Sequence, residues 1–394
     1  TVVLSHHPSY FFYSITMGKT MSLNAISANL TSTKLILPAA VFGMMLSLAG
    51  CSNSSTTEES VEVESTETGA EQQAATDEAT TADGQTITIY SSRNEQLIKP
   101  LLDRYTEQTG VKVELVTDKT GPLMARLQAE GQNTPADMLL TVDAGNLWQA
   151  AEQGLLQPVS STVLEANVPA KYRDPKGQWT GLSLRARTIF YDPNKVTADQ
   201  LSTYADLADP KWKGKLCLRT SKKVYNQSLV ASMMEHLGEE KTEAVIKGWV
   251  DNLATDVFSD DVAMLEAIAA GQCEVGIANS YYYGRLLDEK PNFPVKIFWA
   301  NQGTTGTHVN ISGAGVVASS DNPDGTLKLI EWLSSDEAQG LYASSDKEFP
   351  VKVGIDESDM LRSWGEFKKD DINVQKFGEL QTQAIQMMDK AGYK

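Results

Sequence analysis

Three consecutive tyrosines at positions 281–283 are the residues of this chain best suited to specific chemistry. They follow the apolar run 275–278, which predicts a buried strand, and precede residues 284–290, which predict a helix with Ser280 as its N-cap. At such a turn neighbouring phenols can converge, whereas on a strand they would point to opposite faces. A phenol titrates near pH ~10, so a phenolate at neutral pH requires a strong cation. Oxygen donors suit hard metals, which indicates Fe(III); packing at a domain interface is the alternative.

The overall charge narrows the classes of partner. The chain has 394 residues and a formal net charge of −17, which argues against nucleic acid, because phosphate contacts need a basic face. An acidic protein can still bind a cation. Of its four histidines, His6 and His7 precede the predicted mature part. HExxH, P-loop and GxSxG patterns are absent from the sequence. We therefore expect a binding protein rather than an enzyme. We also expect it to be a monomer.

The amino-terminal part has the composition of a targeting region. We interpret residues 1–20 as an upstream stretch outside the native product and residues 21–50 as a lipoprotein signal peptide. Its apolar run 35–48 is too short to span a membrane and leads into the sequence LAGC. This sequence resembles a bacterial lipobox, which implies cleavage before Cys51 and lipid attachment to its thiol; an ordinary signal sequence is the alternative. Residues 51–85 are acidic and predict a disordered tether.

From residue 86 onward, strand and helix patterns alternate. Residues 86–90, 111–116 and 135–141 predict strands, residues 95–108 predict an amphipathic helix ended by Gly110, and a further helix is expected to end at residue 130. This alternation predicts an α/β fold with a mostly parallel sheet.

Several segments occur in an order that carries a family resemblance. In order they include TITIYSSRNEQLIKPLLDRYTEQTGVKVEL, ARLQAEGQNTPADMLL, RTIFYDPNKV, DLADPKWKGKL, YNQSLVAS, ANSYYYGRL and GTHVNISGAGVV. The chain from about residue 86 to 394 thereby resembles the ferric-iron-binding solute-binding proteins of bacterial ABC importers. RARTIFY and NSYYYGRL carry the iron-specific part of the resemblance.

The resemblance implies a two-lobed periplasmic-binding-protein fold of type II. Each lobe would be a mostly parallel sheet flanked by helices, and hinge strands would cross near residues 181–189 and 306–315. Lobe 1 would comprise residues 86–182 plus 309–345. Lobe 2 would comprise residues 183–308 plus 346–394. A cleft between the lobes would hold the ligand.

The resemblance also implies a set of iron ligands. Tyr281 and Tyr282 match the adjacent tyrosine ligands of the family, and Tyr191 matches a third. Three phenolates would balance the charge of Fe(III). Tyr283 is expected to pack instead, and Tyr225 could line the cleft.

The first lobe departs from the family pattern. Asn94 and Glu95 stand where relatives often carry His or His-Tyr. We predict that Glu95 donates a carboxylate, or that a synergistic anion such as carbonate fills the positions left over. A carboxylate is also favoured at the start of any helix, which is the alternative reading of Glu95. Asp143 is a weaker candidate ligand.

Arginines are predicted to surround the ligands of this site. Arg93, Arg185 and Arg187, together with Asn94, are predicted to hold the anion or support the phenolates. A guanidinium matches a carboxylate bidentately and lowers the pKa of a nearby phenol. Structural ion pairs are the alternative for each arginine. His308 is interpreted as a hydrogen-bonding residue at the second crossing.

Two further cysteines suggest a disulfide. Cys217 and Cys273 each lie at the edge of an apolar, strand-like run. An exported protein sits in an oxidising compartment, so we predict a bridge between them; two buried thiols are the alternative.

Two functional hypotheses follow. The first is a periplasmic or cell-surface, lipid-anchored receptor that captures Fe(III) and delivers it to the permease of an ABC importer. The second is a receptor of the same fold for an organic or oxyanion solute such as a polyamine, thiamine or a phosphonate.

Overall fold

The structure is a computed structural model that describes residues 86–394. The predicted upstream stretch, the signal peptide, the lipidation site at Cys51 and the acidic tether therefore lie outside the described residues. In the described part, every helix is too short or too polar to cross a bilayer.

Within residues 86–394 the chain forms nine strands and thirteen α-helices. The strands are β1 Thr86–Ser91, β2 Lys112–Thr117, β3 Met138–Thr141, β4 Thr180–Tyr191, β5 Leu216–Cys217, β6 Val275–Asn279, β7 Lys296–Phe298, β8 Val309–Val316 and β9 Phe349–Pro350. The helices are α1 Glu95–Thr109, α2 Thr120–Glu130, α3 Ala144–Glu152, α4 Thr162–Asn167, α5 Val224–Leu237, α6 Glu239–Asp251, α7 Asp261–Ala269, α8 Ser280–Glu289, α9 Pro323–Leu333, α10 Asp336–Leu341, α11 Asp359–Ser363, α12 Gln375–Glu379 and α13 Gln381–Lys390. The predicted α/β class is confirmed.

Helix α1 illustrates how local sequence sets the elements. Asn94 caps it, because its side-chain oxygen accepts a hydrogen bond from the backbone N–H of Gln96 at 3.0 Å. Gly110 ends it with a φ of 74°, a left-handed conformation that glycine adopts without a Cβ clash. The predicted helix 95–108 agrees with these bounds to one residue.

The strands form one mixed sheet. Its order is β2-β1-β3-β8-β4-β6-β5, and β7 and β9 also pair with β4. The pairs β1–β2, β1–β3 and β5–β6 are parallel. All pairs made by β4 and β8 are antiparallel. The sheet is therefore less parallel than the sequence predicted, because the two long central strands run against their neighbours.

Strand β4 joins the two sides of the sheet. Its first part pairs with β8 and its second part, from Arg187 to Tyr191, pairs with β6. We call β1–β3 with α1–α3 the first lobe, and β5 and β6 with α5–α8 the second lobe. The exact lobe boundaries remain a prediction.

A disulfide fixes the edge of the second lobe. Cys217 ends β5 and Cys273 precedes β6; the two form a disulfide with their Cα atoms 5.9 Å apart. Both residues are buried. The bridge therefore ties the two parallel strands together just before the segment that carries the tyrosines.

Candidate metal centre

Helix α8 places the three consecutive tyrosines in its first turn. It begins at Ser280, whereas the predicted helical segment was 284–290 with Ser280 as its N-cap. Asn279 occupies the N-cap position instead. The prediction of Ser280 as N-cap is wrong, because the buried Ser280 hydroxyl instead accepts a hydrogen bond from the backbone N–H of Ala186 at 3.3 Å. Successive side chains on a helix point about 100° apart. The three phenols therefore cannot all face one ligand.

Tyr283 is the phenol that turns into the core. Its hydroxyl donates to the carbonyl of Val295 at 3.0 Å, and its ring lies 5.2 Å from that of Phe190. This matches the packing role expected for it.

Tyr281 and Tyr282 share a cavity of about 220 Å³ with Tyr225. The Tyr281 hydroxyl donates to that of Tyr225 at 3.2 Å, and the centres of the Tyr281 and Tyr282 rings are 4.2 Å apart. Tyr225 lies in the first turn of α5. The starts of two helices of the second lobe thus bring three phenols to one cavity. The other residues lining the cavity are Ser92, Arg93, Asn94, Leu97, Val142, Arg185, Arg285, Ser312 and Glu348.

The structure does not bring Tyr191 to this cavity. Tyr191 pairs with Val275 and Lys296, whereas Arg187 pairs with Asn279 next to the tyrosines. Four residues of strand separate the two positions, about 13 Å at the usual rise per residue. Tyr225, rather than Tyr191, therefore stands beside the pair.

Burial keeps Tyr225 and Tyr281 protonated in the free protein. It raises the pKa of Tyr225 to about 12, and it raises the pKa of Tyr281 well above its usual range, an effect that the neighbouring phenols increase. Arg185 acts in the opposite direction on both pKa values, but burial dominates. A bound cation is required to displace the protons.

Cationic side chains lie over the faces of the phenols: Arg185, Arg219, Lys223 and Arg285. The guanidinium of Arg185 is 4.9 Å from the centre of the Tyr225 ring, and that of Arg285 is 4.9 Å from the centre of the Tyr281 ring. The positive charge of these four side chains favours the phenolate form, in opposition to burial, and it attracts anions. It also repels a bare cation until negative charge enters the site.

Several hydrogen-bond donors at the cavity have no partner within residues 86–394. They are the Ser92 hydroxyl, Arg93 Nε, Arg185 Nη1 and Arg285 Nη2, all of them buried atoms. Buried donors are normally satisfied, so an unpaired group asks for a ligand. Oxygen acceptors of an anion fit this arrangement.

Compared with the phenols, carboxylate and imidazole side chains add few metal-binding atoms to the cavity. In the described part of the chain, no three His, Cys, Asp or Glu side chains are grouped so as to hold a metal ion. Phenol oxygens are thus the main metal-binding atoms that the cavity offers, and they suit a hard cation.

Arg93 is committed to an ion-pair cluster rather than to an anion. Its Nη2 donates to Asp346 at 2.5 Å, and its Nη1 donates to Glu348 at 3.0 Å and to Ser312 at 2.8 Å. The two carboxylates raise its pKa despite burial. Arg93 therefore braces the turn that follows β1, and only its Nε is free towards the cavity.

Arg187 is likewise a structural residue. It is buried, its Nη1 forms an ion pair with Asp261 at 3.1 Å, and its Nε donates to Asn226 at 2.9 Å. It does not line the cavity. Of the three predicted arginines, only Arg185 keeps an unpaired nitrogen and also covers a phenol of the cavity; Arg285, which was not among the predicted residues, does the same.

Glu95 and Asn94 lie at the mouth of the site. Glu95 is exposed in the first turn of α1 and lines a wider cleft of about 1160 Å³ outside the tyrosine cavity. Asn94 lines both spaces, with its side chain engaged in capping α1. A ligand role for Glu95 stays a prediction.

Asp143 is buried at the start of α3 and does not line the cavity. Burial raises its pKa to about 6, against the opposing effect of Arg185 and of three hydrogen-bond donors. Its oxygens are occupied by Ser228, Gly145 and Asn310. They are not available to a metal in the cavity.

The profile of the bacterial extracellular solute-binding proteins matches residues 90–340, and the chain belongs to this family. Iron uptake protein A1 of Synechocystis sp. is 44% identical over 321 residues, which span 80% of this chain and 89% of that protein. The Trichodesmium protein FutA, solved with iron and citrate ligands, is 45% identical with a TM-score of 0.75, covering 78% of this chain and 100% of that one. Ferric iron-binding protein A of Mannheimia haemolytica, solved in an open conformation, is 39% identical with a TM-score of 0.74, covering 79% and 99%.

These likenesses confirm the type II periplasmic-binding-protein fold and place the chain among extracytoplasmic receptors. The names of the relatives describe uptake and binding rather than catalysis.

Proposed function

We propose that this protein captures Fe(III) between its lobes and delivers it to the permease of an ABC importer. The convergence of Tyr225, Tyr281 and Tyr282 in one cavity carries the proposal. The iron-related names of the relatives at 44% and 45% identity support it.

Three phenolates supply three hard oxygens and balance the charge of Fe(III). The protons of Tyr225 and Tyr281 leave as the ion enters, because burial holds these two phenols neutral beforehand. No covalent bond in the cargo is made or broken, so capture and release depend on ligation and on opening of the cleft.

An anion completes the iron site in this proposal. Arg185 and Arg285 each turn an unpaired nitrogen towards the cavity, and the Ser92 hydroxyl adds a third donor. Carbonate or a small carboxylate matches these donors. Glu95 is the competing candidate from the first lobe, but it lines only the outer cleft.

The finer aspects of location and architecture belong to the same proposal. We propose lipid attachment at Cys51, with residues 51–85 as the tether that holds the receptor away from the membrane. We also retain the lobe boundaries expected from the sequence, 86–182 plus 309–345 and 183–308 plus 346–394.

Loading with ferric citrate and subsequent gel filtration tests the function. We expect one iron per chain by elemental analysis, and a raised melting temperature of the loaded protein, since a ligand that binds only the native state stabilises it. Protein that emerges without iron, but is stabilised by a polyamine, thiamine or a phosphonate, would contradict the proposal and support the organic-solute receptor.

A further inference from the structure

Asp143 makes more contacts than its position requires. It caps α3 by accepting a hydrogen bond from the backbone N–H of Gly145 at 2.8 Å, which is the ordinary role of an aspartate at a helix start. It also accepts from the Ser228 hydroxyl at 2.9 Å and from Asn310 Nδ2 at 2.8 Å, and stands 3.5 Å from Arg185 Nη2. Capping accounts for only the first of these contacts.

The additional contacts reach both the second lobe and the central strands. Asp143 follows β3 of the first lobe, and Ser228 lies on α5 of the second lobe. Arg185 and Asn310 belong to β4 and β8, which pair with each other at this point. One fully buried carboxylate therefore links the start of α3 in the first lobe to α5 of the second lobe and to the central strands β4 and β8.

Two of the partners are linked to Tyr225, Ser228 through its helix and Arg185 through direct contact. Ser228 is three residues further along α5 than Tyr225, so both side chains lie on the same face of that helix. Arg185 covers the Tyr225 ring at 4.9 Å. Asp143 thus holds the helix that carries the phenol and also the cation that lies on the phenol.

We propose that Asp143 is a positioning residue for iron capture, which couples the approach of the lobes to the placement of Tyr225 and Arg185. This inference rests on the proposed function. In the closed cleft the carboxylate fixes α5 through Ser228 and fixes Arg185 through its charge. When the lobes separate, the Ser228 hydrogen bond breaks, α5 moves away from α3, and Tyr225 leaves the cavity with it.

Two variants test the coupling. Asp143→Asn keeps one oxygen for the cap but removes the charge that faces Arg185, and Ser228→Ala removes only the contact between the lobes. A matched control is Asp137→Asn. Asp137 is also buried and precedes β3, the strand that Asp143 follows, but it accepts hydrogen bonds from Thr88 and Ser320 instead. The rate of iron release to a competing chelator is measured with stopped-flow absorption, and the melting temperature of the iron-free protein is measured alongside.

We expect release about 10-fold faster in Asp143→Asn and in Ser228→Ala, at the lower end of the ~10–100-fold cost of losing an outer partner of a metal ligand. The double variant should accelerate release by less than the product of the two single effects, because Asp143 and Ser228 belong to one hydrogen-bonded network. Asp137→Asn should lower the melting temperature and leave the release rate unchanged.

Wild-type release rates in both variants would overturn the inference, as would equal acceleration in Asp137→Asn. If Asp143→Asn does not fold, Ser228→Ala alone decides between acceleration and the wild-type rate. A wild-type protein that takes up no iron overturns the proposed function and the inference together; normal uptake with unchanged release in the variants overturns only the inference.

Discussion

The hydroxyl of Tyr281 donates a hydrogen bond to the hydroxyl of Tyr225 at 3.2 Å, which joins the first turn of α8 to the first turn of α5. The two residues are 56 positions apart in the sequence. Their contact defines the third phenol of the cavity, and it shifts that role from Tyr191 to Tyr225.

The first prediction distinguishes Tyr225 from Tyr191 as the third tyrosine ligand of the iron. Tyr225→Phe should weaken Fe(III) binding by at least about 100-fold, because losing a direct ligand costs no less than the ~10–100-fold typical of an outer partner. Tyr191→Phe is the matched control and should bind with wild-type affinity, since its side chain is far from the cavity. Affinity is measured by competition with a chelator of known strength. Loss of binding in Tyr191→Phe but not in Tyr225→Phe would instead support Tyr191 as the third ligand, as the family resemblance implies.

The second prediction concerns protons. Burial raises the pKa of Tyr225 to about 12 and that of Tyr281 well above its usual range, so both phenols are protonated at neutral pH. Iron must displace these protons, and we expect about two or more to be released per ion from phenols that become ligands. Apparent affinity should therefore rise with pH. Calorimetry of the full protein in buffers of different ionisation enthalpy counts the protons.

Binding without proton release would mean that the phenols do not ligate iron. A Tyr281→Phe variant that retains weak binding should release one proton fewer than the wild type, which checks that the protons come from the tyrosines.

The third prediction concerns the anion. Arg285→Gln removes a guanidinium whose Nη2 is unpaired at the cavity. We expect affinity measured with bicarbonate or citrate to fall by about 10-fold, and its dependence on the anion to weaken, since a charge-assisted pair is lost. Arg104→Gln, which changes an exposed arginine paired with Glu337, is the control. An unchanged anion dependence in Arg285→Gln would remove this residue from the anion site.

The fourth prediction concerns stability and pH. Burial lowers the pKa of His308 well below its usual range, and Arg185 and Arg187 add to the effect. The folded protein keeps this ring neutral, whereas the unfolded chain takes up a proton below pH ~6.5. The free energy of unfolding should therefore fall as the pH drops below ~6.5, by up to about 1.4 kcal/mol per unit from this group.

Urea denaturation of His308→Gln between pH 7 and pH 5 checks the assignment. The variant should show a shallower pH dependence than the wild type, even if it is less stable at pH 7. Equal slopes would show that His308 takes up its proton without opposing the fold.

Local pattern was sufficient to predict much of the fold. The cap at Asn94 and the stop at Gly110 define α1 within one residue, and the apolar run 275–278 is the buried strand β6. Tyr281 and Tyr282 could be selected because they are adjacent to each other and follow that strand. These features depend on neighbours in the sequence.

The rest of the site depends on partners that are remote in the sequence. Arg93 meets Asp346 across 253 positions, and Arg187 meets Asp261 across 74. An arginine that is paired in this way cannot be distinguished by sequence from one that is free to bind an anion. Tyr225 was expected only to line the cleft, since nothing in its neighbourhood places it beside Tyr281.

The measurement that tests the central claim most directly is a visible absorption titration of the purified protein with ferric citrate. We predict a phenolate-to-iron charge-transfer band that saturates at one equivalent, is retained in Tyr191→Phe and is shifted or lost in Tyr225→Phe. Tight binding of iron without such a band, or no binding, would contradict a tyrosine-based Fe(III) site.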